Sequence, residues 1–300
     1  INFKSSQSFS TPKRLVFFID AIPEKIEQRG KLIKGPRTEA PKEALEGFVK
    51  SNNLNKSNVY KKKIEKGEFY FATTKSKTID ILKELQIIIP ETLQTYSWKK
   101  SMKWSTYDLS WGRPLKSIIT LFNNKVINFD FFHLRSNNFT FVEGTEEEEV
   151  RKINSFKSYL NILKSQNIIL DQEKRKSIVI NKMNSICNSR KLKNYFDQRL
   201  IEEVVNLVEK PNVILCKFDE IYLKVPQEIL IVTMQQYQKY FPLFDNSNKL
   251  TNLFLLVSNL VDKKGYIKIG NQRVIEARLS DAKFFWDKNK TQSLVKQVGK

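Results

Sequence analysis

Short apolar runs, some alternating with polar residues, predict strands along the chain. The predicted strands are residues 13–20, 68–74, 125–132, 212–218 and 250–258. Residues 60–66 form a basic run. Residues 23–37 are charged and carry Gly30, Gly35 and Pro36, a composition that favours a loop.

Apolar residues three or four positions apart predict helices. The predicted helices are residues 41–50, 76–89, 114–122, 171–189, 196–208, 226–237 and 273–285. Asp171 stands where an N-cap is needed, and Pro226 stands in a first helical turn. The apolar spacing that starts at Phe196 ends before Pro211, which cannot continue a helix.

Strands and helices alternate irregularly, and the Gly-rich turns of a doubly wound parallel sheet are missing. The pattern therefore predicts an α+β fold with mixed or antiparallel sheets, packed helices and two or more subdomains. A length of 300 residues favours two domains. The texture becomes more helical from Phe156, so we expect an N-terminal α+β domain over residues 1–150 and a helix-rich α+β domain over residues 151–300.

Charge narrows the class of partner. Lys and Arg number 52 against 32 Asp and Glu, a formal net charge of +20. This excess favours a polyanion, nucleic acid first and an anionic membrane surface second. A Lys-, Asn- and Ile-rich composition from an AT-rich genome would explain part of the same charge. No apolar run approaches the roughly 18 residues of a membrane helix. With only two cysteines the chain fits a reducing compartment, so we expect a cytoplasmic protein.

Few residues are available for catalysis or metal binding. The two cysteines, Cys187 and Cys216, form no disulfide framework. With the single His133 they cannot fill a four-ligand zinc site without a carboxylate, and their spacing is irregular. His133 follows a predicted strand, which favours a structural role. Gly265 and Gly270 have P-loop spacing, but Asn271 stands where the phosphate-binding Lys is required. The sequence thus predicts no cofactor bound by this chain.

Residues 96–113, YSWKKSMKWSTYDLSWGR, interleave aromatic rings with cations. Rings stack on unpaired bases and cations meet phosphates, so this composition is typical of a single-stranded nucleic-acid surface. Packing explains the same composition, and we expect Trp104 and Trp111 to fill the core while Lys99 and Lys100 face solvent. The candidate contact residues in the segment are Lys99, Lys100, Lys103 and Arg113.

Three other segments leave two interpretations open. Residues 61–63 are a Lys run that is either a solvated face or an RNA contact. Gln238 and Lys239 form either a polar edge that faces a ligand or an ordinary helix end. Asn271, Arg273 and Arg278 face either an anion or a partner subunit, unless Arg278 simply pairs with Asp281 on its helix.

These motifs together resemble the β subunit of bacterial heteromeric glycyl-tRNA synthetase. The resemblance extends over nearly all of the chain. The motifs that carry it are TPKRLVFFI (11–19), KEALEGF (42–48), KSMKWSTYDLSWGRPLKSIITLF (100–122), LIEEVVNLVEKP (200–211), FDEIYLKVPQEILIVTMQQYQKYFPLFD (218–245), LTNLFLLVSN (250–259) and GNQRVIEARLSDAKFFW (270–286).

The chain departs from the family pattern in three places. The opening Glu-Ile-Gly-Thr-Glu-Glu-Leu-Pro segment is absent, so we expect a truncated N-terminus. A Gly-His-Arg-Phe motif expected near residues 138–142 reads NFTFV. The sequence ends at Lys300, before the HD-like helical domain and the anticodon-binding-like domain of the family. We therefore expect a fragment of a longer subunit.

The resemblance implies a division of labour. The α subunit activates glycine with ATP and Mg²⁺, and the β subunit positions tRNA(Gly), in a heterotetramer of two α and two β chains. The nine candidate residues then contact either tRNA or the α subunit, and this chain alone is not catalytic. The alternative is a stand-alone RNA-binding protein derived from the same fold, without ligase activity. An autonomous enzyme is a weaker rival, because the chain has neither a Gly-rich loop nor a second histidine.

Overall fold

The computed structural model describes residues 3–143 and 148–291. The chain divides into two compact units: unit 1 comprises Ile1–Ser6, Ile19–Phe141 and Val150–Ser155, and unit 2 comprises Gln7–Phe18, Val142–Glu149 and Phe156–Lys300. Near residue 150 the chain passes from one unit to the other within strands, after Phe141 and again after Glu149. The proposed division at that residue stays a prediction.

The α+β fold class is confirmed, and both units combine helices with sheets that are mainly antiparallel. The elements as far as residue 152 are β1 (Ser5–Ser10), β2 (Leu15–Asp20), β3 (Lys25–Gln28), β4 (Leu32–Arg37), α1 (Lys42–Ser51), β5 (Val59–Ile64), β6 (Gly67–Thr73), β7 (Lys77–Asp80), α2 (Ile81–Thr95), β8 (Ile118–Ile119), β9 (Leu121–Phe122), β10 (Lys125–Val126), β11 (Asp130–Phe131), β12 (Leu134–Asn137), β13 (Phe139–Glu143) and β14 (Glu148–Lys152).

Later elements belong to unit 2. They are α3 (Phe156–Ser165), α4 (Gln172–Ser189), α5 (Gln198–Val205), β15 (Asn212–Lys217), α6 (Gln227–Val232), β16 (Phe241–Phe244), β17 (Leu250–Ser258) and α7 (Tyr266–Lys290). A π-helical turn, Thr233–Tyr237, continues α6.

Several predicted elements are confirmed. Helices form at residues 42–51 and 172–189, and strands form at residues 15–20, 67–73, 212–217 and 250–258. Asp171 caps α4 by accepting hydrogen bonds from the backbone N–H groups of Glu173 and Lys174. Helix α5 is shorter than predicted, and α7 is longer. The segment 226–237 is helical, with its last turn widened to a π-helix.

Other predictions are wrong. Residues 23–37 contain β3 and β4 rather than a loop, because antiparallel pairing with β7 and β6 satisfies their backbone groups. Residues 114–122 form β8 and β9 rather than a helix. Ile118 and Ile119 of β8 pair with β12 in parallel, whereas β11 pairs with β12 antiparallel, so the sheet β11-β12-β8 is mixed. The predicted helix 76–89 begins only at Ile81, where Asp80 caps it, and its first residues form β7.

Unit 2 is built around a three-stranded antiparallel sheet with strand order β15-β17-β16. The alternation of β17 sends Leu255 to one face and Phe254 and Leu256 to the other. Helices α4 and α5 cover the face of Leu255, where Met183 and Ile201 are fully buried. Helices α6 and α7 cover the opposite face. The sheet therefore lies between two helical layers.

A buried arginine joins distant segments of unit 2. Arg175 on α4 is completely buried, and its guanidinium donates to four backbone carbonyl oxygens: Ser10 at 2.7 Å, Ile169 and Leu170 at 2.8 Å, and Val205 at 3.2 Å. Burial lowers the pKa of Arg175, and the nearby carboxylates of Glu209 and Asp171 oppose that shift. The side chain thus ties the end of β1 and the end of α5 to α4.

Glu209 forms a second buried polar contact beside the arginine. Its carboxylate accepts hydrogen bonds from the Thr11 hydroxyl and from Arg14 Nη1, both at 2.5 Å. Its backbone N–H donates to Asn259 Oδ1 at 2.8 Å, and its carbonyl accepts from the N–H of Ile169. Thr11 and Arg14 lie at the turn between β1 and β2, so this turn is anchored by a buried charge pair.

We expect Arg175→Met to lower the free energy of unfolding by about 3–5 kcal/mol, because four carbonyl oxygens lose their donor together. Urea denaturation of the purified protein measures this change. Arg199→Met is the matched control: Arg199 is exposed on α5, and its loss should change stability by no more than about 0.5 kcal/mol. Equal midpoints for the two variants would contradict the proposed anchoring role.

Candidate nucleic-acid interface

The aromatic and basic segment of residues 96–113 follows α2 in unit 1, and backbone hydrogen bonds within the segment fix its shape. Met102 and Trp111 exchange two backbone hydrogen bonds, of 2.9 and 3.1 Å, which close the intervening residues into a hairpin-like loop. Leu109 and Trp111 are buried against Ile127, Phe129 and Phe131. The core position expected for Trp111 is confirmed, whereas Trp104 is only half-buried.

Three rings pack at the base of the loop. Trp98 and Trp111 meet edge to face, with ring centroids 5.2 Å apart, and the Tyr96 ring tilts against Trp98 at 4.9 Å. This packing requires a glycine at position 112, because a Cβ there would lie 2.8 Å from Trp98 Cε3. Tyr96 remains 57% exposed, so one ring of this group is available to solvent.

A second group of rings forms around the single histidine. The Tyr107 and His133 rings stack face to face, with centroids 3.6 Å apart and planes 8° from parallel. Trp104 meets His133 edge-on at 5.8 Å. Within the described part of the chain, His133 Nδ1 is buried and has no hydrogen-bond partner. The structure thus places His133 in the same aromatic group as the segment, a proximity that the sequence interpretation missed.

The four cations predicted in this segment point into solvent. Lys99, Lys100, Lys103 and Arg113 are all exposed. Lys103 Nζ lies 3.8 Å from Asp108 Oδ1, but both side chains are largely exposed and such surface pairs contribute little. Exposed cations beside exposed Tyr96 and Tyr107 rings form a surface that can meet phosphates and unpaired bases together.

The other five candidate residues lie in unit 2. Three of them, Gln238, Lys239 and Asn271, are half-buried. Asn271 accepts a hydrogen bond from the Tyr240 hydroxyl at 2.6 Å and donates one to the Ile267 carbonyl at 2.7 Å. Lys239 pairs with Glu203 on α5 at 2.9 Å. Gln238, at the end of the π-helical turn, is half-buried.

Arg273 and Arg278 are different, because both are exposed on α7. The inner side of the same helix carries the fully buried Ile275 and Leu279. Among the residues that the structure describes, no ion pair joins Arg278 to Asp281, so the pairing considered from their spacing is not formed. These two arginines remain available to an external partner.

The described residues offer little to other classes of site. In residues 3–143 and 148–291, no group of three or more His, Cys, Asp or Glu side chains converges as a metal site. In the same ranges, no helix combines the length and the apolarity needed to cross a membrane. Burial raises the pKa of the Cys187 thiol and that of Cys216, the latter to about 11, so both stay protonated at neutral pH.

Comparison with known proteins agrees with the motifs. A family model described as "Glycyl-tRNA synthetase beta subunit" matches residues 1–300. The chain is 36% identical over 299 residues to the glycine–tRNA ligase beta subunit of Rickettsia akari (strain Hartford), covering 99% of this chain and 45% of that protein. It is 36% identical over 298 residues to the corresponding protein of Rickettsia peacockii (strain Rustic), with the same coverage.

The matches place the chain among the aminoacyl-tRNA synthetase subunits. More specifically, the chain belongs to the glycyl-tRNA synthetase beta subunit family. It spans a little under half the length of the curated relatives that it matches.

We expect Gly112→Ala to lower the free energy of unfolding by about 1–3 kcal/mol, because the new methyl group displaces Trp98 from its packed position. Urea denaturation measures the loss of stability, and near-ultraviolet circular dichroism reports the displacement of the Trp98 ring. Gly47→Ala is the control, since a Cβ at this exposed position of α1 meets nothing within 4 Å. That variant should gain up to about 1 kcal/mol. An unchanged aromatic spectrum for Gly112→Ala would contradict the packing argument.

Proposed function

We propose that the chain acts within the β subunit of glycine–tRNA ligase and positions tRNA(Gly) for ATP-dependent glycylation by the α subunit. Family membership supports the ligase context. The observation that carries the positioning role is the exposed surface of residues 96–113, where Lys99, Lys100 and Arg113 project beside exposed aromatic rings. Such a surface suits a strand of phosphates and unpaired bases.

The contribution of this chain would be proximity and orientation. Holding the acceptor end of a tRNA against a reactive aminoacyl group on another chain turns a bimolecular encounter into a local one. The sequence has no phosphate-binding Gly-rich loop with the Lys that such a loop needs. ATP and Mg²⁺ would therefore be bound by the α subunit, in a cytoplasmic assembly of two α and two β chains.

Arg273 and Arg278 are proposed as further contacts to tRNA or to the α subunit, because both are exposed and unpaired among the described residues. Gln238, Lys239 and Asn271 are weaker candidates. Lys239 already has a carboxylate partner, and the amide group of Asn271 is engaged on both sides. A contact at either position would require a partner to displace these interactions.

Removing two exposed charges in the α–β complex tests the positioning role. We expect Lys99→Gln with Lys100→Gln to weaken binding of tRNA(Gly) about tenfold and to reduce the slope of log K against log salt by about 1.4. Filter binding across a potassium chloride series gives both values. The kcat/KM for glycylation should fall in parallel, whereas ATP–pyrophosphate exchange, which needs no tRNA, should be unchanged.

The matched control removes the same charge from unit 2, by Lys174→Gln with Lys217→Gln, at two exposed positions. If both double variants weaken tRNA binding equally, the effect is only one of net charge and the positioning role is wrong. If the chain does not associate with the α subunit and binds unrelated RNA as tightly as tRNA(Gly), the stand-alone RNA-binding alternative is correct.

A further inference from the structure

The sheet β4-β6-β5 of unit 1 brings aromatic and basic side chains to one face. Antiparallel register places Phe71 of β6 between Lys34 of β4 and Tyr60 of β5. Two residues along β6, Phe69 lies between Arg37 of β4 and Lys62 of β5. Directly paired residues share a face of a sheet. We call this face, with Leu32, Lys34, Arg37, Tyr60, Lys62, Phe69 and Phe71, the aromatic sheet face.

The two phenylalanine rings on this face are covered by cations. Lys34 Nζ lies 3.5 Å from the centroid of the Phe69 ring, and Arg37 Cζ lies 5.5 Å from the same centroid. Lys62 Nζ lies 5.9 Å from the centroid of the Phe71 ring. Both rings are only 9% exposed, yet neither belongs to the three hydrophobic clusters of the described core.

Helix α1 packs on the opposite face of this sheet. Gly35 of β4 points to that side, where a Cβ would lie 2.8 Å from Phe48 Cε1 of α1. Ala72 of β6 pairs with Ile33 and Val59 on the same side and is fully buried. The aromatic sheet face, in contrast, leaves Leu32 54% and Tyr60 46% exposed. One side of the sheet is therefore the packed side, and the other is open at its edges.

Tyr60 is the exposed ring of this face. Tyr60 lies 6.4 Å from Phe71 between ring centroids, with the planes 27° apart. A solvent-exposed contact between a flexible lysine and a ring is weaker than the stacking of a base on that ring. A base can therefore take the place of the lysine above a ring, and the lysine is then free to meet the adjoining phosphate.

We infer that the aromatic sheet face binds single-stranded RNA. An unpaired base stacks on the exposed Tyr60 ring, and bases that displace Lys34 and Lys62 stack on Phe69 and Phe71. The displaced lysines and Arg37 neutralise the adjoining phosphates. The excess of positive charge on this face favours a polyanionic ligand. The choice of RNA rests on the proposed function, but the surface is separate from residues 96–113 and is tested with a different ligand.

The test uses the α–β complex and a fluorescein-labelled single-stranded RNA of twelve uridines, with a duplex RNA of the same length for comparison. Fluorescence anisotropy over a salt series gives the affinity for each RNA and the slope of log K against log salt. We expect the single strand to bind more tightly than the duplex, because paired bases cannot stack on side chains. Equal binding of the two RNAs would overturn the inference.

Two variants separate charge from stacking. Lys34→Gln with Lys62→Gln should weaken single-strand binding about tenfold and reduce the salt slope by about 1.4. Tyr60→Leu with Phe71→Leu should weaken binding about tenfold without changing the slope, because it removes rings and keeps apolar volume. The lysine variant also keeps the inference falsifiable if the leucine variant fails to fold, since both lysines are on the surface.

The matched control lies on α1, which packs on the opposite face of the sheet. Lys42 and Lys50 are both exposed on this helix. Lys42→Gln with Lys50→Gln removes the same charge, and we expect less than a twofold loss. An equal loss for the two lysine pairs would overturn the inference, as would loss of α-subunit association in the Lys34 and Lys62 variant without loss of RNA affinity.

The two proposals can fail separately. If the aromatic sheet face variants lose single-strand binding while Lys99→Gln with Lys100→Gln leaves tRNA(Gly) binding intact, the sheet is a binding surface and the proposed role of residues 96–113 is wrong. If only the Lys99 and Lys100 variant loses binding, the proposed function holds and the sheet inference is wrong.

Discussion

A fully buried guanidinium is the constraint on which the architecture of unit 2 depends. Arg175 keeps its charge in the interior because four backbone carbonyl oxygens, from three different segments, accept its hydrogen bonds. Desolvation of that charge is costly if any of these partners moves away, so β1, the segment before α4 and the end of α5 are held in one arrangement. Glu209 extends the same network to the turn between β1 and β2.

Unit 1 combines a hydrophobic core with many exposed lysines. Its aromatic rings serve two purposes: Trp111 and Phe131 are buried in the core, whereas Tyr96, Tyr107 and Tyr60 remain exposed beside cations. A lysine needs only water around its charge, so it tolerates a position above a ring at the surface. Exposed rings beside cations, such as Tyr96 and Tyr60, can therefore meet unpaired bases, whereas Trp111 and Phe131 only stabilise the fold.

The residues of the family motifs in unit 2 also divide into buried, structural positions and exposed ones. Asn259 accepts hydrogen bonds from the backbone N–H groups of Glu209 and Lys210, and Asn271 is engaged by Tyr240, so packing explains both. Arg273 and Arg278 belong to the same C-terminal motif but lie exposed on α7. The motif pointed to the family. Only the positions of the side chains separated the structural residues of the motif from those that a partner can reach.

The sequence alone determined the α+β class, the capped helix α4, the sheet strand β17 and the exposure of Lys99 and Lys100, because local periodicity, capping and charge act over a few residues. Tertiary structure decided what depends on distant pairing: that β3 and β4 are strands, that Tyr107 stacks on His133, and that Lys34 lies over Phe69. The physical reason is that a strand's partner and register are set by the rest of the sheet, and a one-residue slip would exchange its two faces.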